Sequence, residues 1–117
     1  MSKHSETGAR GERLAEEFLV INGYHILHRN WRMARKEIDL IALDQDEVVF
    51  VEVKTRSGLN FGSPEEAVSP KKQKNIREAA ELFSLQFPEH EKFRFDVISI
   101  LLQANEVAEL KHLTDAF

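Results

Sequence analysis

Two apolar runs, Glu37-Ile38-Asp39-Leu40-Ile41-Ala42 and Val48-Val49-Phe50-Val51-Glu52-Val53-Lys54-Thr55, flank the short polar segment Asp44-Gln45-Asp46-Glu47. Runs rich in β-branched residues, joined by residues that favour turns, predict a β-hairpin. Centring the hairpin between Gln45 and Asp46 sets Asp39 opposite Glu52, Glu37 opposite Lys54 and Ile41 opposite Phe50. Side chains alternate along a strand, so these residues share one face. The other face pairs Ile38 with Val53, Leu40 with Val51 and Ala42 with Val49, and is wholly apolar. A slip of one residue would mix the faces, so the pattern itself selects the register.

In that register two carboxylates stand opposite each other, an arrangement that costs up to about 1 kcal/mol unless something offsets it. A proton, a cation from the protein or a bound metal ion would do so. Mg²⁺ is commonly held by one or two carboxylates together with waters and phosphate oxygens. Glu52-Val53-Lys54 adds an ammonium on the same face, suited to act on a water or on charge developing at a phosphate. The pattern Asp…Glu-x-Lys therefore suggests a divalent-metal site that cuts phosphodiesters. The competing reading makes Glu37, Asp39, Glu52 and Lys54 the solvated face of an amphipathic hairpin.

Composition bounds the alternatives. A chain of 117 residues with 42% hydrophobic and 31% charged residues is expected to form one soluble globular domain, 1–117. No apolar stretch approaches the roughly 18–20 residues of a membrane span, and the first residues lack the apolar core of a signal peptide. Cysteine is absent, which removes disulfides, thiolate metal sites and cysteine nucleophiles. A cytoplasmic location is expected. The net charge of −4 does not favour nucleic acid, but residues 29–77 hold ten of the sixteen Lys and Arg against eight of the twenty acids. A local basic surface attracts phosphates despite an acidic total.

The remaining elements follow in order. Leu14, Phe18 and Ile21 recur at helical spacing and predict a helix over 6–22, stopped by Gly23. Glu12 lies in its first turns, where a glutamate ordinarily complements the helix dipole. Residues 24–32 read as a strand; His25 and His28 fall on opposite faces of it, which argues against a joint metal site. Residues 56–63, rich in Gly and Ser, read as a loop leaving the strand after Lys54, and 65–68 as a short turn. Ser69-Pro70 opens a helix over 70–87 with a stripe of Ile76, Ala79, Ala80, Phe83 and Phe87, ended by Pro88. Lys71, Lys72, Lys74 and Arg77 crowd its first turns, where cations and the helix N-terminus together favour phosphate; a solvated helix face fits equally well. Residues 92–101 form another strand, in which Asp96 is expected to serve structure by pairing with a basic residue, and a last strand is expected near 108–113. Helix, strands, helix, strands suggest an α/β sandwich around a mixed sheet.

Asp39 followed by Glu52-Val53-Lys54, after a helix bearing Glu12, resembles the PD-(D/E)XK nuclease superfamily, with Ile38 where that group's proline is expected. More narrowly, the chain is similar to the small bacterial YraN-like family of predicted endonucleases, relatives of archaeal Holliday-junction resolvases. The similarity runs through Gly11-Glu12, Gly23-Tyr24, Glu37-Ile38-Asp39-Leu40-Ile41, the specific string Phe50-Val51-Glu52-Val53-Lys54-Thr55-Arg56, Phe61-Gly62, Lys72, Arg94-Phe95-Asp96-Val97 and Ala116-Phe117. It implies a restriction-endonuclease-like fold with a central mixed sheet flanked by helices. It implies that Asp39, Glu52, Glu12 and the Val53 carbonyl hold Mg²⁺ or Mn²⁺, and that Lys54 acts on the attacking water or the phosphate. Arg56, Lys71, Lys72 and Lys74 are the expected nucleic-acid contacts. The implied activity is metal-dependent hydrolysis of DNA phosphodiesters, extending to branched DNA and a homodimer through kinship with the resolvases. The alternative is a non-catalytic nucleic-acid-binding or interaction module on the same fold. Lys36 stands where the family usually has glycine, and glycine permits backbone geometry that lysine resists.

Overall fold

A computed structural model describes residues 6–57, 68–104 and 106–117. The elements are α1 (Glu6–Ile21), β1 (His25–Met33), β2 (Lys36–Asp44), β3 (Glu47–Ser57), α2 (Pro70–Gln86), β4 (Lys92–Gln103) and β5 (Glu106–Leu113). The strands form one mixed sheet in the order β1-β2-β3-β4-β5. β3 and β4 run parallel, with α2 lying between them in the chain, and the other neighbours are antiparallel. The expected α/β sandwich with a mixed sheet and two flanking helices is what forms, compatible with a restriction-endonuclease-like fold.

Both faces of the sheet are dry. On one, Ala15 and Leu19 of α1 pack over Leu40, Ala42, Val49, Val51, Ile98 and Ile100. On the other, Ile76, Ala79, Ala80 and Phe83 of α2 cover Ile41, Val48, Phe50 and Val97. Phe83 is the hub of the second layer, with its ring edge-on to Phe50 at 5.5 Å and to Trp31 at 5.6 Å; truncating such a side chain costs about 3–5 kcal/mol. Ser69 caps α2 by accepting the Lys72 N–H at 3.2 Å, and Pro70 takes the first helical position, as the sequence predicts. Gly23 ends α1 at φ 91°, a conformation open to glycine. Arg56 and Ser57 depart from the expected loop: they continue β3, because β4 offers parallel partners as far as Leu101 and Leu102. The rest of that expected loop, and the short turn up to residue 67, lie outside the described residues.

The hairpin register is the predicted one, with Leu40 opposite Val51, Ile41 opposite Phe50 and Asp44 opposite Glu47. Its extent differs. The β2–β3 ladder stops at Leu40 and Val51, whereas β2 goes on pairing with β1 through Trp31–Ile38 to Met33–Lys36, and β3 goes on pairing with β4. The sheet therefore forks. One arm is the β1–β2 hairpin and the other is β3 with β4. Glu37 consequently does not face Lys54; it pairs with Arg32 across the β1–β2 arm, at 3.2 Å.

The alternation of β2 also slips at the fork. Ile38 was expected beside Leu40 on the dry face, but it packs with Ile41 and Trp31 under α2, while Leu40 lies under α1. The register sets Asn30 across from Asp39, and Asn30 has φ 49°, a left-handed conformation that Asn tolerates better than most residues. That kink lets consecutive stretches of β1 and β2 present Trp31 and Ile38 to the same side as Ile41.

Candidate active site

Asp39 and Glu52 meet at the crotch of the fork. The Asp39 Oδ2 accepts the Val53 N–H at 2.8 Å, taking the place of a backbone acceptor at the point where the ladder ends. Asp39 is also hydrogen-bonded to the Glu52 side chain. Glu52 is 8% exposed, one of two buried charged residues among those described. Lys72, in the first turn of α2, sets its Nζ 3.5 Å from the Glu52 Oε2. The predicted opposition of the two acids is thus realised through their side chains rather than through a continuous ladder.

Lys72 brings one positive charge to the pair, but burial outweighs it. Burial, and then the adjacent Asp39, push the Glu52 carboxyl up to about 8, with Lys72 working against them. Burial also raises Asp39, although the Val53 N–H and the Glu52 hydrogen bond hold it down in part. Both carboxyls are thus pushed upward by burial, and the pair favours holding a proton between them. The oxygen donors suit a hard divalent cation, which would replace that proton and complete its shell with water or phosphate oxygens. The residues present therefore fit Mg²⁺ or Mn²⁺, with the Val53 carbonyl adjacent in the chain to Glu52.

The other predicted residues are distributed around this pair. Lys54 is exposed two residues beyond Glu52 on β3, and Arg56 is partly buried farther along the same strand. Lys71 and Lys74 are exposed on the first turns of α2. Glu12 belongs to α1 and lines a pocket of about 210 Å³ with Arg13, Glu16, Arg29, Asn30 and Leu40. Among the described residues no three acidic, His or Cys side chains gather into a metal-sized cluster. Lys36 does not occupy a glycine-like conformation. The left-handed positions are Ala34 at φ 53° and Arg35 at φ 66°, which form the two-residue turn between β1 and β2, and Lys36 instead pairs with Glu78 of α2 at 2.9 Å.

Asp96 has the structural role expected of it. Arg94 grips it with two bonds of 2.8 and 2.9 Å, His112 lies 2.7 Å from it, and the Asp115 N–H donates to it at 3.0 Å. Burial alone would raise its carboxyl, but the bonds from His112, Arg94 and Asp115 more than offset that and hold it below the usual range. Arg94 reaches further, to Asp44, Glu47 and Tyr24, tying the hairpin tip to β4. Sequence reading missed this hub; its signal is the spacing of Arg94 and Asp96, which puts them on one face of a strand.

Residues 11–100 match the profile of the uncharacterised protein family UPF0102. The chain belongs to that family. A UPF0102 protein of Chlorobium phaeobacteroides strain DSM 266 is 48% identical over 117 residues, spanning 94% of this chain and 91% of its own. One from Prosthecochloris aestuarii is 43% identical over 96% of this chain and 93% of its own, and one from Rhodococcus opacus 42% identical over the whole of both. The UPF0102 match includes Glu12, Asp39, Glu52, Lys54 and Lys72 within its span. No helix among the described residues is long and apolar enough to cross a membrane.

Proposed function

We propose that this UPF0102 protein is a metal-dependent endonuclease that hydrolyses DNA phosphodiester bonds. The observation that carries this reading is the Asp39–Glu52 pair at the fork, with Asp39 held by the Val53 N–H, Glu52 buried against Lys72, and Lys54 exposed on the same strand. Asp39 and Glu52, with the Val53 carbonyl, would hold Mg²⁺ or Mn²⁺. Such a cation supplies a lowered water pKa and offsets charge on the reacting phosphate. The protein's own groups supply the rest. Val53 N–H fixes one oxygen of Asp39 and leaves the other turned to the ligand. Lys54 presents an ammonium to the attacking water or to a non-bridging phosphate oxygen. Lys72 offsets the charge of Glu52 and stands beside the phosphate path. Glu12 supplies a further acid from the α1 side, through the pocket that reaches Leu40, the neighbour of Asp39. The resemblance to junction resolvases favours branched DNA as substrate and a homodimer as the assembly, and the composition is in keeping with a cytoplasmic compartment.

A second reading, a nucleic-acid-binding module without catalysis, draws on the lack, among the described residues, of a three-ligand acidic cluster. One assay separates them. Purified protein is incubated with linear, single-stranded and four-way-junction DNA in Mg²⁺, Mn²⁺ or EDTA. Cutting that requires metal and drops by at least about a hundredfold in Lys54→Ala supports the enzyme. Binding without cutting in either metal favours the module. Absence of binding even at low salt, where phosphate contacts are strongest, refutes both.

A further inference from the structure

The β1–β2 arm and α2 enclose a groove of about 380 Å³, lined by the turn residues Ala34 and Arg35, by Lys36 and Glu37 of β2, and by Lys72, Asn75 and Ile76 of α2. This volume lies in the range of small-ligand sites, about 300–1,000 Å³. It accommodates a nucleotide unit but does not enclose a duplex. Lys72 belongs both to this groove and to the carboxylate pair, so the groove opens directly beside Glu52.

The charges of the lining are unequal in availability. Lys36 is committed to Glu78, Glu37 to Arg32 and Lys72 to Glu52. Arg35 is exposed and, among the described residues, has no carboxylate partner. It also holds φ 66° in a turn where a glycine or asparagine would be less strained. Strained backbone of this kind concentrates at functional positions. Opposite it, the first turn of α2 carries no acid, and its N-terminal end favours anions. Asn75, one turn after Lys72, adds an amide that donates and accepts, and Ile76 supplies an apolar floor.

We propose that this groove holds one nucleotide of the strand being cut, adjacent to the scissile phosphate, and that Arg35 binds that nucleotide's phosphate. The inference rests on the nuclease reading above and names its substrate-binding track. The strand runs from the Asp39–Glu52 crotch past Lys72 toward the Ala34–Arg35 turn. Arg35 is a binding residue, remote from the reacting atoms, so it governs affinity rather than turnover.

The test compares the wild type, Arg35→Gln, Arg35→Lys and Lys111→Gln. Lys111 is exposed on β5, and its loss removes the same charge elsewhere. Binding of a fluorescein-labelled single-stranded oligodeoxynucleotide is followed by anisotropy in EDTA across a salt series, and cleavage is measured in Mg²⁺. Arg35→Gln is expected to weaken binding about tenfold and to lower the salt slope by about 0.7–0.9, the share of one phosphate contact. KM rises with kcat nearly unchanged, Arg35→Lys recovers the salt slope, and melting temperatures stay together. If wild type binds and cuts but Arg35→Gln matches it, or matches Lys111→Gln, the groove assignment is overturned and the nuclease reading stands. If wild type fails to bind at low salt, the nuclease reading falls and takes the groove with it.

Discussion

Replacing Glu52 by Gln removes one titrating carboxyl from the crotch while keeping the size and a polar neighbour for Asp39. The folded protein holds the Glu52 proton to about 8, whereas the unfolded chain releases it near 4.5. Between these values the native state binds more protons than the unfolded state, so the metal-free protein loses stability as pH rises and the loss levels off above 8. The slope is at most about 1.4 kcal/mol per pH unit, and the accumulated loss is on the order of 3–5 kcal/mol. Against a total stability of about 5–15 kcal/mol this is large, and it corresponds to a fall of roughly 10–20 °C in Tm for a domain of this size. Asp96 acts in the opposite direction and in a separate window, since its lowered carboxyl loses stability as pH falls through the acid range below 3.8. Thermal unfolding in EDTA from pH 5 to 9 should therefore show a falling Tm for wild type and a much flatter profile for Glu52→Gln, with the variant more stable at pH 8. Mn²⁺ should restore wild type at the alkaline end, because cation binding expels the shared proton, and should leave Glu52→Gln largely unmoved. Parallel profiles for the two proteins in EDTA would refute the claim that Glu52 is held protonated by its surroundings.

Three further outcomes follow from packing and backbone geometry. Gly11→Ala would set a Cβ 2.8 Å from the Thr55 Cβ and closer still to its hydroxyl, so α1 must shift off β3; a cost of about 1–3 kcal/mol by urea unfolding is expected, relieved in part by adding Thr55→Ala. Ala34→Asn should stabilise the β1–β2 turn by about 0.5–1 kcal/mol with an unchanged m value, since Asn accepts the left-handed φ of 53° at this position. Asp96→Asn should cost about 3 kcal/mol in the same assay, because the partly buried Arg94 loses its closest counter-charge, the buried Asp96 2.8 Å away.

Much of the fold was legible because it is written in short-range pattern. Segregation of Glu37, Asp39, Glu52 and Lys54 from the wholly apolar face of Ile38, Leu40, Ala42, Val49, Val51 and Val53 selects the hairpin register, and Ser69-Pro70 announces α2. The approach of Asp39 to Glu52 followed from that register. The fork did not, because it depends on a side chain outcompeting a backbone: Asp39 captures the Val53 N–H that β2 would otherwise bond. Apolar periodicity carries no record of such competition, and the misplacement of Ile38 and the false pairing of Glu37 with Lys54 both stem from it. The contact between Lys72 and Glu52 depends on how α2 crosses the sheet, which no local spacing encodes. The strain at Ala34 and Arg35 was hidden for another reason. Lys36 stands where the family usually has glycine, while the unusual backbone lies one and two residues earlier.

The Val53 N–H bond gives the fork a property of its own. On the proposed reading a single carboxylate would both close the hydrogen-bonding of a central strand and hold the cation, so the continuity of the sheet and the occupancy of the site would draw on the same two oxygens. Whatever binds Asp39 competes with, or polarises, the bond to Val53. The Val53 amide thereby becomes a reporter embedded in the backbone: its proton resonance and its exchange rate register the protonation and ligation of Asp39 from inside the strand, without any label at the surface.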